Sequence, residues 1–259
     1  MTKRNRTPVA AFLLVAFLAA ALFSPVTAQD QKPVIESALQ KGDTALAIDL
    51  LNQEIELDKS YYLNYYTLGM ISFKRQKWQA AIEHFEMALS KKKKHYNSLY
   101  QLGLAYLKVG DLENAEKTMQ EGIKKDKKEK HRFEDGLGQV MLARENWGEA
   151  DRLFRQALVG DPQNANYHIH LGDANFYEGI PSLAITEYEK ALEVDTAGLE
   201  VYFHWAEACL EMKDYTCAIE KLHIVLTKDS THAQAWMRAG GIYFKAANSS
   251  RNRQERNDR

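Results

Sequence analysis

The chain repeats itself about every 34 residues, and this periodicity constrains its fold more than any other feature. Small residues return in step at Ala47, Ala81, Ala115, Ala150, Ala184 and Ala218. A second series follows each alanine by about 21 residues, at Leu68-Gly69, Leu102-Gly103, Leu137-Gly138, Leu171-Gly172, Trp205-Ala206 and Ala239-Gly240. Two close-packing positions per period indicate two helices per repeat, because small residues let helix backbones approach each other.

Two further series complete the pattern. A large residue follows each alanine by four positions, at Leu51, Phe85, Met119, Phe154, Tyr188 and Leu222. Three positions later comes a mostly small residue, at Ala88, Gly122, Ala157 and Ala191, with Val225 as the exception. This pattern resembles the tetratricopeptide repeat family over about residues 33–247. The resemblance implies an all-α, right-handed α-solenoid of stacked helix-turn-helix repeats that binds proteins without catalysis.

The register of the repeat predicts how the chain is organised. Residues 29–61 are expected to hold a partial N-terminal repeat, since the helix before the Gly42-Asp43 turn can begin only near Pro33. Five full repeats then occupy residues 62–232, and a capping helix occupies residues 233–247. The tail, residues 248–259, has no apolar residue and is expected to be disordered. One spacing, from Ala115 to Ala150, is 35 residues, which places an extra residue within 124–132.

Residues 1–28 have the parts of a secretory signal peptide. Basic residues precede an uninterrupted apolar run from Val9 to Phe23, and small residues follow at Val26-Thr27-Ala28. The run is shorter than the ~20 residues that a bilayer span needs, so we expect cleavage near Ala28 rather than an uncleaved membrane anchor. This short leader is typical of bacteria, and it predicts a periplasmic or secreted protein with no stable membrane insertion.

The charge and the motifs exclude several classes of function. The net charge is -1, and loss of the leader would remove three basic residues and no acid. A chain without a basic surplus is unlike a nucleic-acid binder. It also shows no glycine-rich phosphate loop, nucleophile elbow, zinc-protease signature or calcium loop. The sequence therefore predicts no enzyme activity, no cofactor, no metal and no nucleic-acid partner.

Two cysteines lie at equal distances from a predicted turn. Cys209 comes four residues before Lys213, and Cys217 comes four residues after it. Such positions can face each other in a helical hairpin, so a disulfide is expected in an exported protein, with two reduced, buried thiols as the alternative. His170 and His204 share a position in successive repeats, and they are expected to be surface neighbours rather than metal ligands.

The resemblance also implies a binding surface. In this family the first helices of the repeats line a concave face, on which two positions per repeat lie one helical turn apart. The predicted partner-binding groove consists of Tyr66, Met70, Tyr100, Leu104, Gln139, Ile169, Asp173, Phe203 and Glu207. Apolar side chains of a partner protein are expected near Tyr66 to Leu104, and basic ones near Asp173 and Glu207. The aromatic members have an alternative role, which is to pack against adjacent repeats.

Two other functions fit the same pattern. The solenoid would self-assemble if the terminal helix of one copy docked on the first repeat of another. The lysine-rich residues 91–94 and 124–130 would serve an accessory protein that binds an anionic envelope polymer, although they also fit solvated loops between repeats. Neither the partner nor the oligomeric state follows from these residues.

Overall fold

The computed structural model describes residues 28–194 and 198–257, and α-helices joined by short turns fill these residues. In chain order the helices are α1 (Ala28–Gln40), α2 (Thr44–Leu57), α3 (Tyr62–Lys74), α4 (Trp78–Lys91), α5 (Tyr96–Val109), α6 (Leu112–Lys125), α7 (Lys130–Ala143), α8 (Trp147–Gly160), α9 (Ala165–Tyr177), α10 (Pro181–Val194), α11 (Leu199–Glu211), α12 (Tyr215–Lys228) and α13 (Ala233–Asn257). No β-strand occurs in these two ranges. The predicted fold class, an all-α solenoid of stacked helix-turn-helix repeats, is confirmed. The predicted signal peptide lies outside the described residues, apart from Ala28.

The helices belong to two compact units. The first unit ends at His95 and contains α1 to α4, and the second begins at Tyr96 and contains α5 to α13. Within each unit, consecutive helices form hairpins, each with a first and a second helix. The five central hairpins, α3–α4 to α11–α12, are in register with the five predicted repeats. The extra residue belongs to α7, because Leu137 is its eighth residue whereas Leu102 is the seventh of α5.

Glycine marks the point where the two helices of a hairpin cross. A Cβ atom added to Gly69 would stand 2.5 Å from the ring of Phe85, and one added to Gly172 would stand 2.4 Å from the ring of Tyr188. Contacts this short exclude a side chain on the first helix. Two other hairpins repeat the contact, Gly103 with Met119 and Gly138 with Phe154. The glycine series and the large-residue series of the sequence therefore meet at one point in each repeat.

Each hairpin turn holds one residue in the left-handed backbone region. Glycine provides this conformation in half of the described hairpins, at Gly42, Gly110 and Gly179. The other turns use residues with a side chain, namely Gln76 (φ 57°), Glu145 (φ 58°) and Lys213 (φ 62°). A capping side chain then begins four of the second helices by accepting a backbone N–H bond, at Asp43, Asp111, Asn146 and Asp214.

The two ends of the chain differ from the predicted organisation. The first hairpin is complete rather than partial, because α1 begins at Ala28 and contains Pro33 in its interior. The sequence predicts a helix start near Pro33, since proline is favoured in the first helical turn. At the other end, α13 continues to Asn257, through most of the predicted disordered tail. Residues 248–257 have no apolar side chain to bury, but the Arg, Gln and Glu residues among them have a high intrinsic helix propensity.

Candidate partner-binding surface

The nine predicted groove residues all lie on the first helices of hairpins and are all half-buried. Tyr66 and Met70 lie on α3 of the first unit. The other seven lie on α5, α7, α9 and α11 of the second unit, at Tyr100, Leu104, Gln139, Ile169, Asp173, Phe203 and Glu207. Each unit therefore presents part of the predicted set on the faces of its first helices.

Aromatic groove residues also pack within their own unit. The Tyr66 ring lies 4.9 Å from the His95 ring in an edge contact, and 6.0 Å from the Phe85 ring. Phe85 is the fully buried residue at the crossing of α3 and α4. Tyr66 therefore contributes to the packing of its own hairpin as well as to the surface.

The second unit repeats this arrangement at Tyr100. Its ring meets Phe133 of α7 edge-on at 5.6 Å, and the Arg132 guanidinium lies 4.6 Å from the ring centroid. Burial raises the pKa of the Tyr100 phenol above its ordinary value. Phe203 is similar, with its ring 5.1 Å from His232. The alternative role of these aromatics, which is to pack against the next repeat, therefore matches their contacts.

Carboxylates of the second unit pair with bases on the next first helix. Oδ1 of Asp135 on α7 lies 2.6 Å from Nδ1 of His170 on α9, and Asp135 is only 2% exposed. One repeat further, Oδ1 of Asp173 on α9 lies 2.8 Å from Nδ1 of His204 on α11. Each histidine is thus paired with an acid on the preceding first helix, a contact that the prediction of neighbouring surface histidines did not include.

A third pair extends the series to the last helix. Oε1 of Glu207 on α11 lies 2.7 Å from Nε of Arg238 on α13. The three pairs connect α7, α9, α11 and α13 in order, so we call them the acid–base ladder. Further hydrogen bonds support it, because Gln139 donates to Asp135 at 2.9 Å and the Tyr188 hydroxyl donates to Asp173 at 2.8 Å.

The ladder changes the electrostatics of the predicted surface. Burial lowers the pKa of His170 and of His204, but the paired carboxylates raise it by more, so both pKa values lie above the ordinary value. Asp173 and Glu207 are already engaged inside the chain, so a basic segment of a partner would have to compete with these internal bases. The sequence predicted Asp173 and Glu207 as groove residues but did not predict their partners, because each partner lies 31 residues further along the chain. The available signal was the basic position that recurs at His170, His204 and Arg238.

The two cysteines are joined across a hairpin. A disulfide links Cys209 of α11 to Cys217 of α12, with their Cα atoms 5.9 Å apart. Cys209 is buried in the core cluster that also contains Ala206 and Leu222. The two cysteines are therefore close enough to be bridged. Formation of this disulfide in the exported protein stays a prediction.

The lysine-rich segments are largely solvated. Residues 91–94 are exposed. In the second segment, Lys125 pairs with Glu121 at 2.6 Å, and Lys130 pairs with the buried Glu134 at 2.5 Å. Within the two described ranges, no three His, Cys, Asp or Glu residues are grouped so that they could hold a metal ion. Among the helices of these ranges, none has the length and apolar character needed to cross a membrane.

Comparisons with known proteins agree with this architecture. Residues 72–140 and 136–198 match two tetratricopeptide repeat families. No protein of curated function matches the sequence.

Solved structures of repeat proteins resemble the chain in fold. A tetratricopeptide repeat protein from Parabacteroides merdae has a TM-score of 0.73 at 14% identity, over 90% of this chain and 91% of that protein. The type IV pilus biogenesis factor PilW has a TM-score of 0.72 at 12% identity, over 81% and 97%. A thermophilic repeat protein from Thermus thermophilus has a TM-score of 0.64 at 18% identity, over 71% and 99%. At identities this low, the structural likeness shows a shared fold and nothing more.

Proposed function

Because this chain is a tetratricopeptide repeat protein, we propose that it is a non-catalytic scaffold of the bacterial cell envelope that binds a segment of a partner protein. Repeats of this family generally bind proteins. The observation that carries the proposal is an apolar side chain left half-exposed on a first helix in each unit. Met70 on α3 and Leu104 on α5 share one repeat position, directly after the crossing glycine, and both are half-exposed. In each unit, partner side chains would cover this residue by hydrophobic contact.

The electrostatics of the second unit define the chemistry of the segment. Asp173 is hydrogen-bonded to His204 and Glu207 is ion-paired with Arg238, so their charge is compensated within the chain. Breaking a partly buried pair leaves an unpaired charge, which is costly. This supports a partner segment that is mainly apolar where it contacts Leu104, rather than one that depends on basic residues.

The envelope location depends on the leader. If residues 1–28 are a signal peptide, the exported protein begins at Gln29. The intact mass of the chain recovered from the periplasm or the medium tests this expectation. A mass that still includes residues 1–28, or a chain extracted only by detergent, would contradict it.

A capture experiment with matched variants tests the binding surface. The groove variant replaces Met70 and Leu104 with Gln, which keeps helix propensity and removes apolar surface in both units. The control variant replaces Leu57 on α2 and Val159 on α8, which are 66% and 83% exposed, with Gln. Each variant thus changes one apolar side chain per unit. Helicity and melting should match wild type in both.

Capture of envelope proteins by the tagged chain then separates the possibilities. We expect the groove variant to lose one or more proteins that wild type and the control variant both retain. Equal capture by both variants would refute the proposed surface. If the molar mass measured by light scattering doubles as the protein concentration rises, self-assembly is favoured instead.

A further inference from the structure

One core position of the first hairpin carries a charge. Glu54 of α2 lies where the later second helices carry a small or apolar residue, namely Ala88, Gly122, Ala157, Ala191 and Val225. All of these residues are buried, and Glu54 is buried with them, at 2% exposure. A carboxylate at such a position is costly unless a partner compensates its charge. Glu54 therefore requires a partner that the other repeats do not need.

The residue that faces this position is polar as well. In the second unit, a Cβ atom added to Gly122 would collide with the Phe133 ring of α7. The residue of α3 equivalent to Phe133 is Asn64, since each lies four residues before the Leu-Gly pair of its helix. Asn64 is 5% exposed. The first unit thus has a carboxylate and an amide at the positions where α6 and α7 pack a glycine against an aromatic ring.

Glu54 and Asn64 line a cavity of about 140 Å³ in the first unit. Residues of α1, α2 and α3 form this cavity, and its aliphatic side chains are Ile35, Leu39, Leu51 and Leu63. Oε1 of Glu54 is buried and has no hydrogen-bond partner among the described residues. Buried polar atoms almost always have such a partner. This carboxylate oxygen therefore marks the point in the cavity wall where a hydrogen-bond donor would bind.

Lys32 also lines the cavity, but its ammonium group binds elsewhere. It donates a hydrogen bond to the Tyr61 hydroxyl at 3.1 Å and lies 4.6 Å from the centroid of that ring. Lys32 is exposed, and so is the second acid of the lining, Glu36. The lining thus holds two acids and one base, which gives it a net charge of -1. Such a lining attracts a cation rather than an anion.

We propose that this cavity binds the ammonium group of an aliphatic amine. An N–H of the amine donates to Oε1 of Glu54, and its methylene chain lies against Leu39 and Leu51. A neutral donor such as water would satisfy the oxygen but leave the buried charge unpaired, so a cation is favoured. The size agrees, because an apolar cavity of about 150 Å³ accommodates benzene, and a butylammonium group is comparable. The lysine side chain ends in this group, so the source is a lysine of a partner protein or a small free amine.

The cavity is separate from the proposed partner-binding surface. None of the nine groove residues lines it. The inference therefore goes beyond the proposed function, and either one can fail without the other.

A titration observed by NMR tests the proposal. The probe, n-butylammonium chloride, is added to the ¹⁵N-labelled full chain, with sodium chloride at the same concentrations as the reference. The side-chain amide signals of Asn64 report on the cavity. Glu54→Gln keeps the shape of the residue and removes its charge. Glu36→Gln is the matched control, because it removes the same charge at an exposed position of the same lining. If melting shows that Glu54→Gln is not folded, Glu54→Ala, which restores the residue of the later repeats, takes its place.

We expect a saturable shift of the Asn64 signals in wild type and in Glu36→Gln, with affinities within about threefold of each other, since an exposed charge contributes little. Glu54→Gln should bind at least about tenfold more weakly, because a hydrogen bond to a charged group is lost. For the same reason 1-butanol, the uncharged analogue, should bind wild type at least about tenfold more weakly. The proposal is overturned if wild type shows no saturable shift, if Glu54→Gln binds butylammonium equally well, or if butanol binds as tightly.

A further ligand identifies the source of the amine. Nα-acetyl-lysine methylamide presents the same ammonium group on a peptide backbone. If it binds as tightly as butylammonium and loses affinity in Glu54→Gln, the cavity takes a lysine side chain of a partner protein. If butylammonium binds and the lysine derivative does not, the cavity takes a small free amine.

Discussion

The N-cap of α4 lacks the hydrogen bond that its counterparts make, so Lys77→Asp should stabilise the first unit. The backbone of Lys77 has φ -88° and ψ 69°, and its side chain accepts no N–H bond. Asp111, the N-cap of α6, has nearly the same conformation, φ -81° and ψ 75°, and accepts from the Asn114 N–H at 3.1 Å. An Asp at position 77 would therefore accept from the Ala80 N–H in the same way.

The magnitude follows from two contributions at Lys77. A side-chain N-cap contributes about 1 kcal/mol relative to a residue that cannot cap. Replacing a positive charge with a negative one beside a helix N-terminus adds roughly 0.5 to 1 kcal/mol at low salt. The free energy of unfolding of the first unit should therefore rise by about 1.5 to 2 kcal/mol, and the melting temperature by several degrees.

Urea unfolding provides the assay, because Trp78 lies next to the substitution and reports on the first unit. Lys77→Ala is the control, since it removes the positive charge without adding an acceptor. Asp111→Ala is the reverse change and should destabilise the second unit. If Lys77→Asp and Lys77→Ala are equally stable, the cap is not the source of the effect, and the reasoning from backbone conformation fails.

Three other perturbations test the contacts of the second unit. Alkylation of the exported protein without reductant should leave Cys209 and Cys217 unlabelled, and Ser at both positions should cost about 2 to 3 kcal/mol for a loop of this length; labelling in native and denatured protein would exclude the bridge. Because pairing with carboxylates raises the pKa of His170 and His204, their contribution to stability is present below the ordinary histidine pKa and is lost as pH rises through the raised values. The free energy of unfolding should therefore be lower at pH 9 than at pH 6, and Gln at both positions should reduce this difference. Tyr100→Ser should lower the free energy of unfolding by about 2 kcal/mol because it removes the ring contacts. If the free energy of unfolding measured in denaturant does not change, the ring serves partner contact alone.

The repeat could be predicted because its packing positions are strictly periodic. Gly69, Gly103, Gly138 and Gly172 each predict a helix crossing, and each lies at one. The ends were predicted less well, because a proline inside α1 and a polar extension of α13 depend on context rather than on period.

The candidate surface was only partly predictable. The periodicity places Tyr100 and Asp173 on the first helices, where the structure also has them. It does not show that the Tyr100 ring meets Phe133 edge-on or that Asp173 pairs with His204, since these contacts join separate repeats. Side-chain partners across repeats depend on the geometry of stacking, which a one-dimensional period does not contain.

The glycine crossings also have a consequence for how the protein folds. Each joins residues 16 positions apart, as in Gly69 with Phe85 and Gly172 with Tyr188. Closing so short a segment carries a small entropic cost, and chains dominated by local contacts fold fast. Each crossing can therefore be buried as soon as the two helices of its own hairpin are free to fold, without contacts from later repeats.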